Sequence, residues 1–206
     1  MASTFAVQNP ADAVNVALAR LGYKLRVGSL YDGSAAAKKA LDIYAQTRDT
    51  LLRDGDWPFA ERNVAGTLLK QAPVGGYFPP NVWSTAYPPL PWNYEYAYLS
   101  DCLDVRAVKP TPIFVPNFDP QPNIFAVAND TGFTPPQRVI LSNVPNAIIV
   151  YTGQVTDPLT WPPDFVEEFA AALARRLAVF VGGPDAVKLE AADEQAEMAQ
   201  AASEQG

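Results

Sequence analysis

Carboxylates, a single thiol and a run of aromatic rings are the side chains of this sequence that could do chemistry. Asp49, Asp54 and Asp56 lie within one short stretch. A carboxylate pair of this kind can act as acid and base on a glycosidic bond, or hold a hard cation. The same residues also read as the solvated end of a helix, and catalytic pairing would need a pocket that spacing alone does not supply. Cys102 follows Asp101, with no Lys, Arg or His adjoining it to stabilise a thiolate, so a buried structural thiol is expected. Trp83, Tyr87, Trp92, Tyr94 and Tyr96 could stack on sugar rings or anchor another protein. No polar pattern suited to a sugar surrounds them, and aromatic anchors dominate protein interfaces, so packing or protein contact is the expectation. Arg48 and Arg53, expected on helix faces turned to solvent or to a partner, complete the interface candidates. No catalytic, cofactor-binding or metal-binding residue is assigned.

The composition narrows the chemistry further. The chain has no histidine, which removes His-based triads, His general bases and ordinary zinc sites. No phosphate-cradling glycine loop is present. Fifteen basic and 22 acidic residues give a formal net charge of −7, and the basic pairs Lys38-Lys39 and Arg175-Arg176 are isolated. Tight duplex binding, which needs a basic patch to displace counterions, is not expected. With one cysteine no internal disulfide can form, in keeping with a reducing cytoplasm. Neither a signal peptide nor an apolar run of membrane-spanning length is apparent, so a soluble chain without membrane contact is expected.

These residues must be positioned by helices at both ends of the chain and strands between them. Asn9-Pro10 with Asp12 predicts a capped helix whose face is Val14, Leu18 and Leu21, ended by Gly22. Ser34 should cap a second helix running to Asp54, with Gly55 as its stop and Leu41, Tyr44, Leu51 and Leu52 on its buried side. Helical periodicity is lost from 63 to 156. Short strands are expected at Val64–Leu69, Tyr94–Leu99, Leu103–Val108, Ile124–Val127, Gln137–Leu141 and Ala147–Tyr151. A long loop with prolines and aromatics, Pro73–Asn93, and a proline-rich stretch, Lys109–Asn123, interrupt them. A third helix should open at Pro162-Pro163-Asp164 and bury Phe165, Phe169, Leu173, Leu177 and Phe180, with Trp57 and Phe59 also in the core. An Ala- and Glu-rich helix is expected from Pro184 to about Ser203.

The expected fold is therefore α+β: one domain, 1–206, with a helical bundle as its body (9–62 and 162–203). A small, mostly antiparallel sheet with long Pro/aromatic loops is inserted at 63–156.

Three separated patches together resemble one family. The first is Tyr44-xxx-Arg48-Asp49-xx-Leu52 followed by Trp57-Pro58-Phe59-Ala60-x-Arg62. The second is Tyr96 to Val105, and the third is Tyr151-Thr152-xxx-Thr156-Asp157-Pro158 continuing into Trp161-Pro162-Pro163-Asp164-Phe165. Their order and spacing resemble the head-to-tail adaptors of tailed bacteriophages, such as tail tubular protein A, over residues 9 to 181. Leu99-Ser100 and Asp104 stand where family members often have a proline and an arginine, and the aromatic loop is long. The resemblance implies a structural virion protein, not an enzyme, with no cofactor. It implies a homo-oligomeric ring of about twelve copies that binds the portal and tail nozzle or tube proteins. Such a ring is assembled in the host cytoplasm, sits in the virion neck and lets DNA pass through its lumen without specific binding. Two alternatives from other classes stay open: a virion carbohydrate- or receptor-binding module, and a carboxylate-dependent cell-wall hydrolase.

Overall fold

The first helix begins where the backbone N–H groups find a side-chain acceptor. Asn9 accepts from the Asp12 N–H at 3.0 Å, and the Asp12 carboxylate accepts from the Asn9 N–H at 3.2 Å, a reciprocal capping box. In the computed structural model, which describes residues 7–24, 26–77, 82–111 and 124–181, this opens α1 (Pro10–Arg20). The helix ends on Gly22 at φ +69°, with Gly22 N–H donating to Ala19 O and Tyr23 N–H to Leu18 O. That pair of bonds needs a left-handed residue, which glycine adopts without strain. Ser34 caps α2 (Ala35–Asp54) by accepting from the Ala37 N–H at 3.1 Å.

The described chain is α+β, with three helices and two antiparallel sheets, and it divides into two compact units. One unit joins the described residues up to Gly55 with those from Val155 onward. In it α3 (Pro163–Val181) packs on both α1 and α2. Phe165, Phe169, Leu173 and Leu177 recur at four-residue spacing and are fully buried. Asn15 holds the segment between α1 and α2 by two bonds to one residue, donating to Val27 O at 2.9 Å and accepting from Val27 N–H at 2.8 Å.

Some side chains depart from the expected faces. Leu41 is exposed and Leu51 half-buried, while Tyr44 and Leu52 are buried as expected. Phe180 is 56% exposed, one step off the α3 stripe, and the Lys39 ammonium lies 4.9 Å from its ring centroid. The helix expected from Pro184 to Ser203 and most of the Lys109–Asn123 stretch lie outside the described residues.

The second unit is Asp56–Gln154. It holds β1 (Glu61–Ala65), β2 (Leu68–Gln71), β3 (Tyr94–Ala97), β4 (Cys102–Lys109), β5 (Phe125–Asp130), β6 (Gln137–Ser142) and β7 (Ile148–Gly153). They form two antiparallel sheets rather than one, in the orders β1-β7-β4 and β2-β3-β6-β5. Both contribute to one core: Val105, Val108, Ile149 and Tyr151 from the first, Tyr96 and Ile140 from the second. Cys102 is buried in this core, as its neighbours in sequence led one to expect. Trp57 and Phe59, expected in the core, are half-buried, their ring centroids 6.1 Å apart.

The single strand expected over Val64–Leu69 is two strands on different sheets. Gly66 N–H donates to Ala147 O and Ala97 N–H donates to Thr67 O, so the chain crosses between the sheets at Gly66-Thr67. A Cβ at Gly66 would stand 2.7 Å from Cδ1 of the buried Tyr96 ring and 3.2 Å from Cδ1 of Ile149. Gly66→Ala is therefore expected to destabilise the chain by about 1–3 kcal/mol through overpacking, measurable by urea unfolding.

Candidate functional site

Strand alternation sorts the aromatic candidates. Tyr94, Tyr96 and Tyr98 share the core-side parity of β3 and its continuation, and all three join or pack on the core. Tyr96 is 1% exposed, donates to Val144 O at 2.5 Å and accepts from the Ala147 N–H at 3.3 Å. It is a core residue with its hydroxyl fully used, so it cannot anchor a partner. Tyr94 is half-buried and stacks on Tyr96 at 6.3 Å between centroids. Trp92 is half-buried, and Trp83 is 43% exposed.

Arg48, expected on an outward face, also lies inward in the chain. It is 7% exposed, because Tyr44, Arg48 and Leu52 fall at four-residue intervals on the buried stripe of α2. Its charge is met by Asp49, at 2.7 Å from Arg48 Nε to Oδ1. Arg53 is on the exposed side, paired with Asp54 at 2.8 Å. Two of the three clustered carboxylates are thus engaged by the arginines beside them.

The residues of the three sequence patches meet in two places. In the helical unit, Tyr44 of the first patch and Trp161 and Phe165 of the third gather around Phe169. Trp161 lies 5.0 Å from both Phe165 and Phe169 in edge-on geometry, and its indole N–H donates to Val155 O at 3.2 Å. In the strand unit, Arg62, Asp101 and Tyr151, one from each patch, form a polar cluster. Arg62 Nε is 3.4 Å from Asp101 Oδ2, and the Tyr151 hydroxyl donates to Asp101 Oδ1 at 3.1 Å. A Cβ at Gly153 would stand 2.3 Å from Arg62 Nε, so glycine there leaves the room that Arg62 occupies.

No family model matches the chain, and no curated protein does.

The remaining site lies on the other face of the four-stranded sheet. Glu95 and the two β6 residues Val139 and Leu141 share this face, with Lys70 opposite Glu95 on β2 and Asp130 at the end of β5. Trp83, Thr85, Tyr87 and Pro89, from the described part of the aromatic loop, line it. That loop is organised around the carbonyl of the buried Pro88, which accepts from Trp83 Nε1 at 2.9 Å and from the Tyr77 hydroxyl at 3.4 Å. Tyr77 and Tyr87 meet edge-on at 5.7 Å. Between loop and sheet is a recess of about 210 Å³ whose lining includes Lys70, Trp83, Thr85, Tyr87, Glu95 and Asp130.

The ionic groups of this recess are unevenly satisfied. Lys70 is hydrogen-bonded to Asp130 and stands 3.7 Å from Glu95 Oε1. Asp130 carries a burial penalty, but the Lys70 hydrogen bond and the Gly132 N–H leave its carboxyl below the usual range. Glu95 is 1% exposed, and burial, followed by its hydrogen bond with Asp130, pushes its pKa up to about 7. Its Oε1 finds no hydrogen-bond partner among the described residues. Sequence reasoning missed Glu95. Its only local signal is a charged residue between two tyrosines of a strand, and the partners that give it meaning come from β2 and β5.

Proposed function

We propose that the chain is a structural virion subunit that assembles into the adaptor ring between a portal and the tail and allows the genome to pass. The observation that carries this reading is the meeting of the three patches behind the resemblance. Their residues do not scatter: the first and third patches share an aromatic cluster around Phe169, and one residue from each of the three meets in the polar cluster around Asp101. Patches that pack on one another form a coherent structural framework rather than isolated matches. In this reading the three helices are a bundle-like body, and the aromatic loop, laid on its own sheet, turns its exposed rings toward a neighbouring chain. A loop already held in place loses little entropy on docking and offers large anchors. Exposed Trp83 and half-buried Tyr87 and Trp92 remain as anchors, with Arg53 on the helical side.

Mixing the purified protein with its portal and weighing the product by native mass spectrometry tests the reading. A discrete complex carrying about twelve copies per portal is the expected result. A chain that stays monomeric in the presence of the portal would sink it.

A second reading, a glycan-binding module, draws on the exposure of Trp83 beside a polar recess. It predicts that glycans quench tryptophan fluorescence in the monomer, an effect the ring reading does not expect.

A further inference from the structure

The recess under the aromatic loop has one unmet demand, a hydrogen-bond donor for Glu95 Oε1. The resident cation meets it only in part, as an ion pair without a close hydrogen bond. Lys70 is drawn to Asp130 and lies 5.3 Å from the Phe133 ring centroid, which leaves its Nζ 3.7 Å from Glu95, beyond hydrogen-bond reach. One ammonium thus serves two carboxyl groups: while Glu95 keeps the proton of its hydrogen bond with Asp130 the formal sum is +1 − 1 = 0, and once Glu95 ionises it is +1 − 2 = −1. Among the described residues lining the recess, the titratable neighbours of Glu95 are Lys70 from β2, Asp130 from β5 and the phenol Tyr87 from the loop, while β6 presents Val139 and Leu141. The lining also includes Trp83 and Tyr87, aromatic residues of the type that attracts cations through its π faces.

We infer that this recess is a socket for one organic cation, a guanidinium or ammonium group on a short aliphatic stem, held between the Glu95–Asp130 pair and the rings of Trp83 and Tyr87. A metal ion fits less well, since hard cations take six or more oxygens and, among the described residues of the recess, one carboxylate oxygen lacks a hydrogen bond. A neutral sugar would supply donors but leave the charge uncompensated. The recess, about 210 Å³ in volume, has room for such a head group and stem. The cation can be a basic side chain of a docking chain or a free amine. The socket belongs to the isolated chain, so its fate is separate from that of the ring.

The test uses the full-length protein with ¹³C-labelled glutamate and ¹⁵N-labelled indoles, titrated with ethylguanidinium chloride against sodium chloride at equal ionic strength. Saturable shifts of the Glu95 carboxyl and Trp83 indole signals are expected, the former assigned by its loss in Glu95→Gln. The cation binds the ionised carboxylate, so affinity should be about tenfold tighter at pH 8 than at pH 6. Glu95→Gln should abolish binding while keeping the far-UV circular dichroism, and Trp83→Ala should weaken it several-fold. Shifts no larger than those in sodium chloride, equal affinity at both pH values, or tighter binding of methyl glucoside would each overturn the proposal. Wild-type affinity in Glu95→Gln would do the same. In the portal complex, a Glu95 signal already shifted and deaf to ethylguanidinium identifies a partner's basic side chain as the source. A signal that still responds identifies a free amine.

Discussion

Phe169→Ala is expected to destabilise the helical unit by about 3–5 kcal/mol, the cost of truncating a fully enclosed phenylalanine. Its ring is wholly buried, and it touches Tyr44 and Trp161 edge-on, each at 5.0 Å, and Phe165 at 6.3 Å. The loss therefore combines the transfer of a large apolar group, the cavity left behind and three aromatic contacts. Against a typical total of about 5–15 kcal/mol for a domain, that is a large fraction. Tyr44→Phe is the matching control. The Tyr44 hydroxyl is buried without a partner among the described residues, and burial holds its pKa well above the ordinary range. Removing it relieves a desolvated group instead of breaking a bond, so stability should stay level or rise by about 1 kcal/mol. Urea unfolding followed by far-UV circular dichroism, which weights the helices, compares the two. A Phe169→Ala cost below about 1 kcal/mol, the size of an ordinary surface change, would mean that this cluster does not hold the unit together.

Much of the backbone was legible because its signals are local. Asn9 with Asp12 and Ser34 with the following alanines announce helix starts through bonds made within four residues, and both starts are where those residues point. The strand expectations also fell on β3 to β7, since β-branched and aromatic runs bounded by turn residues need no distant information. The split between β1 and β2 was not legible. Val64–Leu69 alternates in the same way whether it belongs to one sheet or two, and what divides it is a pair of long-range bonds, to Ala147 and from Ala97.

The candidate residues show the same limit. The charge of Arg48 points it outward, although its four-residue spacing from Tyr44 and Leu52 places it inward. Periodicity outweighed chemistry there, because Asp49 is close enough to neutralise the guanidinium. Tyr94 and Tyr96 were grouped with Trp83 by type, yet a spacing of two on a strand already assigns them to one face. Glu95, between them, faces the other way. Its neighbours Lys70 and Asp130 are 25 and 35 residues distant in sequence, and only the order β2-β3-β6-β5 brings their strands into one sheet.

That juxtaposition carries the second large effect. Between pH 4.5 and about 7 Glu95 is expected to remove about 3 kcal/mol from the stability of the fold. Its pKa is raised from an ordinary 4.5 to about 7 by burial first and by the hydrogen bond with Asp130 second. In that window the folded chain keeps a proton that the unfolded chain has released. Stability therefore falls as pH rises through the window. The contribution is fully present below 4.5 and gone above about 7, where both states are ionised. Asp130, whose folded pKa is depressed, works in the opposite direction at lower pH, so the wild type alone would give a composite curve. The difference from Glu95→Gln isolates the term. An amide retains a donor toward Asp130 but cannot ionise, so the variant should exceed the wild type by about 2–3 kcal/mol more at pH 8 than at pH 5. A gap that stays constant across this range would show that Glu95 titrates as an ordinary surface carboxylate. Lys70→Met, by removing the favourable charge at 3.7 Å, should displace the window to higher pH. The ionisation that weakens the fold is also the one that draws a cation. Saturating ethylguanidinium should therefore restore stability at pH 8 and leave it unchanged at pH 5, where Glu95 is already neutral.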